Sequence, residues 1–199
     1  MTIGLVAQPW WVNLIVLVPL LAWFSWRRGG VPIPVRQLVV SGAFAVSFGF
    51  LEAVVVVYLR AAMGLLPGYQ GTLSDVIRMS GQFYVQSQVI RQFPKSLLTL
   101  EVLREAVTIL MLLSVALLTS ARSRARAAVF LWTFAIWDMV YYAALWATVR
   151  WPLSLNDPDV LFLIPVPWVS PVWFPLLVSA LSLAAVLLSR VRQQTADRP

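Results

Sequence analysis

The chain has 199 residues, of which 60% are hydrophobic and only 12% charged, and a mean hydropathy of +0.82. A soluble domain carries about twice that charged fraction, so the solvent implied is a bilayer, and the length suits one domain, residues 1–199. The formal charge of +7 does not point to nucleic acid, because the arginines sit beside apolar spans: Arg27 and Arg28 after one, Arg122, Arg124 and Arg126 between two others, Arg190 and Arg192 after the last. With no Cys and no His, thiolate and His-ligated metal sites, haem and a Ser-His-Asp triad are excluded. No phosphate-binding motif is present, and neither a metal nor a cofactor is expected.

An apolar helix needs about 20 residues to cross the hydrocarbon core. In chain order the predicted spans are 10–26, with Pro19 a candidate kink, then 38–60, 97–119, 127–149 and 172–189. The expected fold is an all-α integral membrane bundle of about five transmembrane helices. No Lys or Arg precedes the first span and two arginines follow it. That order, with the arginines of the second short loop and of the tail, predicts an N-terminus outside and a C-terminus in the cytoplasm. Trp10, Trp11, Trp23, Trp26, Trp146 and Trp151 fall where interfacial aromatics belong.

Two outer loops follow. Residues 63–96 include a stretch, 75–92, that suits a short surface helix. Residues 150–171 are too apolar for a free loop, and Pro165, Pro167 and Pro171 forbid a regular helix, so a broken or re-entrant segment is expected there. Asp157 and Asp159 read as a solvated Asp-Pro turn that sits as a lid over what lies beneath.

Ionisable residues within a span cost roughly 2.5–3.5 kcal/mol each at mid-bilayer and mark functional sites by default. The second span holds Glu52 and ends at Arg60; the third holds Glu101, Arg104 and Glu105; the fourth holds Asp138. Helical spacing puts Ser41, Ala45, Gly49 and Glu52 on one stripe, Glu101, Arg104, Glu105 and Thr108 on one face, and Asp138, Tyr141 and Tyr142 on another, with Trp137 stacked over Tyr141. The three helices are therefore expected to turn these faces toward one another in the outer half of the membrane, while Tyr58 points away. Four carboxylates against Arg60 and Arg104 leave an acidic excess, met by protons held on one or two carboxyls or by a bound cation.

Glu52, Glu105 and Asp138 are the candidate catalytic groups; Arg60, Glu101, Arg104, Trp137, Tyr141 and Tyr142 are the candidate ligand-binding residues. The plainer alternative is that Arg104 pairs with Glu101 or Glu105 and locks helix packing, with Glu101 and Arg60 solvated near the interface. The leading functional reading is a binding protein or accessory subunit whose pocket, open to the extracytoplasmic side, takes a small or lipid-like ligand, a cation or a proton. Its rivals are an enzyme doing acid–base chemistry on a lipid or isoprenoid and a proton- or cation-coupled transporter subunit. Membrane lipids are the expected partners, with room for a homo-oligomer or a larger membrane complex.

The segments LEVLREAVTILML (100–112), WDMVYYAAL (137–145) and DVLFLIPVPWVSPVWFP (159–175), with the stretch 52–60, resemble blocks of an uncharacterised family of small bacterial polytopic membrane proteins. The resemblance covers roughly the second half of the chain and implies a bacterial inner membrane and a single-domain helical bundle. It implies no activity.

Overall fold

The computed structural model describes residues 7–62 and 95–196, with side chains described for 7–58 and 98–190. A 3-10 stretch, Trp10–Val16, runs into α1, Leu17–Trp26. Then come α2, Val35–Ala62, α3, Lys95–Thr119, and α4, Ser123–Val149. A hairpin of β1, Pro158–Phe162, and β2, Trp168–Pro171, leads into α5, Trp173–Ala196. Four helices are long and apolar enough to cross a membrane, over Val35–Tyr58, Leu98–Thr119, Ser123–Val149 and Trp173–Arg190, while Trp10–Trp26 is shorter. The fold is thus all-α with one small sheet. The change from 3-10 to α geometry precedes Pro19, which sits in the first turn of α1 where its missing N–H is tolerated.

Helix α4 is the hub. It packs most extensively on α2, then on α5 and α3, while α2 and α3 touch little. The α2–α4 contact is close because Gly49 and Gly42 face Trp137 and Trp132, and the indole N–H of Trp132 donates to the carbonyl of Leu38 at 3.0 Å. Ser41, Ala45, Gly49 and Glu52 are all buried, as their common stripe predicts.

One end of the bundle gathers the end of α1, the starts of α2 and α4 and the ends of α3 and α5. Gln37 donates to the carbonyl of Thr119 at 3.0 Å, Arg190 donates to that of Ile33 at 3.2 Å, and Trp26, Val31, Ile33, Leu38, Ala116, Ala125, Val129 and Val186 form an apolar plug. Arg27, Arg28, Arg36, Arg122, Arg124 and Arg126 belong to the same end by sequence.

The opposite end is capped by the hairpin, which replaces the broken or re-entrant segment expected for 150–171. Helix α4 stops at Arg150, whose left-handed φ of 57° turns the chain out of the helix. The strands pair antiparallel, Val160 opposite Val169 and Phe162 opposite Trp168, so Leu161 is a bulge. The prolines, which exclude a regular helix as expected, fit the hairpin: Pro158 and Pro171 lie at strand ends, and Pro165 and Pro167 lie in the turn. The sheet is extended by Gln8, which exchanges both backbone hydrogen bonds with Val169, and Trp11 meets Trp168 edge-on at 5.2 Å. Trp26 and Trp151 prove to be core residues, 4% and 1% exposed, where interfacial positions were expected; Trp10 and Trp146 are exposed.

Candidate functional site

A cavity of about 100 Å³ lies beneath the hairpin, enclosed by α2, α3, α4, the start of α5 and β1. Glu52 and Val56 line it from α2, and Glu101, Arg104, Glu105 and Thr108 from α3. Phe134, Trp137, Asp138, Tyr141 and Tyr142 line it from α4. Its roof is Asp159, Val160, Leu161, Phe162, Leu163 and Trp168, and its far wall Phe174, Pro175 and Val178. Every candidate residue with a described side chain is therefore on one cavity. Arg60 lies in α2, but its side chain is outside the described set, as is the structure of 63–94 with its expected surface helix.

The acidic groups divide into three arrangements. In the first, Arg104 bridges two helices. Its Nη1 contacts Glu52 across the gap between α2 and α3, and its Nη2 donates to Glu101 Oε2 at 2.9 Å. Thr108, one turn further along the same face, donates to Glu52 Oε1 at 2.6 Å. The i, i+4 spacing of Arg104 and Thr108 lets both reach the Glu52 carboxylate on the other helix, while Glu101, three residues before Arg104 on the same face, holds the guanidinium from its own helix. Arg104 thus pairs with Glu52 and Glu101, not with Glu105. Glu101, only 8% exposed, is buried rather than solvated at the interface.

In the second, Glu105 Oε2 accepts from the backbone N–H of Leu163 at 2.7 Å. That amide lies just past the end of β1, where the ladder gives it no partner and burial would otherwise be costly. Glu105 therefore ties the roof to α3.

In the third, Asp138 Oδ2 accepts from Ser179 Oγ of α5 at 2.8 Å, and Asp159 Oδ2 accepts from the hydroxyl of Tyr142 at 2.5 Å. Two expectations are corrected here. The polar faces of α2, α3 and α4 do not meet only each other, because α5, free of interior charge, supplies Asp138 with its donor. Asp159 is not in a solvated turn: it is 2% exposed and Val160 N–H also donates to it at 2.8 Å. Asp157 alone has the turn role, accepting from Leu153 N–H at 2.7 Å and Ser154 N–H at 3.0 Å. Trp137 stacks on Tyr141 at 6.2 Å as expected, and Tyr58, 68% exposed, faces away.

Asp159 and Ser179 are the site residues that sequence reasoning missed. An aspartate two residues after another in a Pro-containing run carries no local mark of burial, and a serine inside a span is too common to single out. The available signal was the unassigned hydrogen-bonding need of Asp138 and Tyr142. Among the described residues no group of three or more acidic side chains has the closeness to hold a metal ion.

Comparison with family models, with curated proteins and with solved structures yields no match.

Proposed function

We propose that this chain is a multi-pass protein of the bacterial cytoplasmic membrane that binds a small ligand, or the polar end of a lipid-like one, in the cavity beneath its hairpin. The supporting observation is the convergence of Glu52, Glu101, Arg104, Glu105 and Asp138 on one cavity. Intramembrane charges that served only to lock helices would be packed without a void. The same cavity carries aromatic walls, as small-molecule sites do.

Positive-inside placement of the arginine-rich end puts the hairpin and the cavity toward the extracytoplasmic side. The route toward the cytoplasm is blocked first by Ala45, Phe48, Leu112 and Trp137 and then by the apolar plug around Trp26 and Val129. Among the described residues, a path for ions or protons through such layers meets hydroxyls such as Ser41, Thr133 and Ser182 but no buried ionisable group, which weighs against transport by a single copy. Volume weighs against an isoprenoid substrate: about 100 Å³ is less than the roughly 150 Å³ that holds benzene in an engineered cavity. An amphiphile would place only its head here and leave its chain in the bilayer.

The test is lipid and small-molecule profiling of the purified protein, comparing wild type with Glu52→Gln and Asp138→Asn. A species that co-purifies with wild type and is lost from both folded variants is the expected result. Identical profiles with unchanged thermal stability would overturn the reading.

A further inference from the structure

Resting on that reading, we propose that the ligand carries an ammonium group next to a hydrogen-bond acceptor, as an amino alcohol or an ethanolamine headgroup does. Three observations bear on the chemistry. Charge is the first. The described lining has five carboxylates, Glu52, Glu101, Glu105, Asp138 and Asp159, against one cation, Arg104. Arg104 is engaged by Glu52 and Glu101, while the hydrogen bonds to Glu105 and Asp138 come from neutral donors, a backbone amide and a serine. A cationic occupant offsets that excess; an anionic one adds to it.

The second observation is independent of the acidic groups and points to the acceptor. Trp137 lines the cavity, is 8% exposed, and its buried indole N–H has no acceptor among the described residues. The buried indole N–H of Trp168, in the roof, is in the same position. A buried indole N–H normally finds a partner, so a ligand oxygen that reaches either ring edge would gain a hydrogen bond. Trp137 and Tyr141 are stacked on each other in the lining, and aromatic surface of this kind attracts an ammonium as well.

Size and access are the third. The volume admits a few non-hydrogen atoms. Of the ion pair that bridges α2 and α3, the Arg104 side chain is 23% exposed and the Glu52 side chain 7%, so the lining is partly open beside Arg104. Helix α3 has only 22% of its span buried, so in a bilayer most of that helix would face lipid, within reach of a headgroup.

The experiment is equilibrium dialysis of the detergent-solubilised full chain with radiolabelled ethanolamine. Unlabelled ethanolamine, ethylamine, ethylene glycol and glycolate serve as competitors of similar size. Ethanolamine is expected to displace best, ethylamine several-fold less well, and the neutral and anionic probes not at all. Asp138→Asn, which keeps an acceptor for Ser179, should weaken ethanolamine about tenfold or more, and Trp137→Phe should narrow the preference for ethanolamine over ethylamine. Nanodiscs of phosphatidylethanolamine that displace the label, where phosphatidylglycerol nanodiscs do not, identify the source as a headgroup; displacement by neither identifies a free amine. Equal competition by ethylene glycol or glycolate overturns the amine assignment. Absence of ethanolamine binding also overturns it, while the pocket stands if a neutral or anionic species co-purifies and is lost from Glu52→Gln. If no species is lost either, the pocket reading falls with it.

Discussion

Gly49 of α2 rests directly on the main-chain carbonyl of Trp137 of α4: a Cβ at position 49 would lie 2.6 Å from that oxygen. Backbone cannot yield as a side-chain tip does, so the two helices must separate to admit a methyl group. Gly49→Ala should therefore cost about 1–3 kcal/mol, read as a drop in thermal unfolding temperature in detergent. Gly42→Ala meets the indole of Trp132 at 3.2 Å, a side chain that can move, and should cost clearly less. Because Glu52 lies one turn beyond Gly49, the first variant should also disturb the Glu52–Arg104 contact.

The same pair explains how much of the molecule was legible beforehand. The Ser41–Ala45–Gly49–Glu52 stripe could be read because helical periodicity and the need for small residues at a close crossing are both local facts. The four long spans followed from apolar length, and the convergence of Glu52, Arg104 and Asp138 from the cost of leaving charge in lipid. The hairpin could not be read the same way. Its strands are only five and four residues long, and their prolines look like breakers until pairing puts them at strand ends and in the turn. Partners such as Asp159 for Tyr142 and Ser179 for Asp138 depend on tertiary placement, which composition and spacing do not encode. Which of Glu52, Glu101 and Glu105 Arg104 would choose was likewise open, since all lie within its reach on helical geometry.

Replacing Arg104 by Met leaves Glu52 and Glu101 buried with no counter-charge among the described side chains. Loss of one partner of a buried pair costs about 3–5 kcal/mol, and the partial exposure of the Arg104 side chain argues for the lower end of that range. Glu52→Gln should be milder, because Arg104 retains Glu101 and Thr108 can still donate to the amide oxygen. The double variant Arg104→Met/Glu52→Gln should be more stable than Arg104→Met alone. A thermal-unfolding double-mutant cycle with strictly additive effects would contradict the contact between α2 and α3.

The Tyr142–Asp159 bond fixes the roof to α4 inside a buried site. Tyr142→Phe leaves one fewer donor for a buried carboxylate and should destabilise by about 1–3 kcal/mol. The effect should be local first: backbone amides of β1 should exchange with deuterium faster, as should that of Leu163, which depends on Glu105. Asp157→Ala, which removes bonds in an exposed turn, should leave β1 exchange nearly unchanged. Equal effects of the two variants would mean that Asp159 is solvated after all.

The orientation inferred from the arginines can be tested directly because the chain has no Cys, so any introduced thiol is unique. Ser154→Cys lies in the exposed turn between α4 and β1, at the cavity end, while Ser123→Cys begins α4 at the arginine-rich end. In intact bacterial cells a membrane-impermeant maleimide should label position 154 at once and position 123 only after permeabilisation. The reverse pattern would put the cavity and its hairpin in the cytoplasmic half, with seven arginines from 27 to 190 in sequence on the translocated side. Such a topology opposes the charge bias that sets membrane insertion, and it would move the source of any ligand from the outer leaflet to the inner one. The labelling result thus decides not only how the chain sits but from which side of the membrane Asp138 is approached.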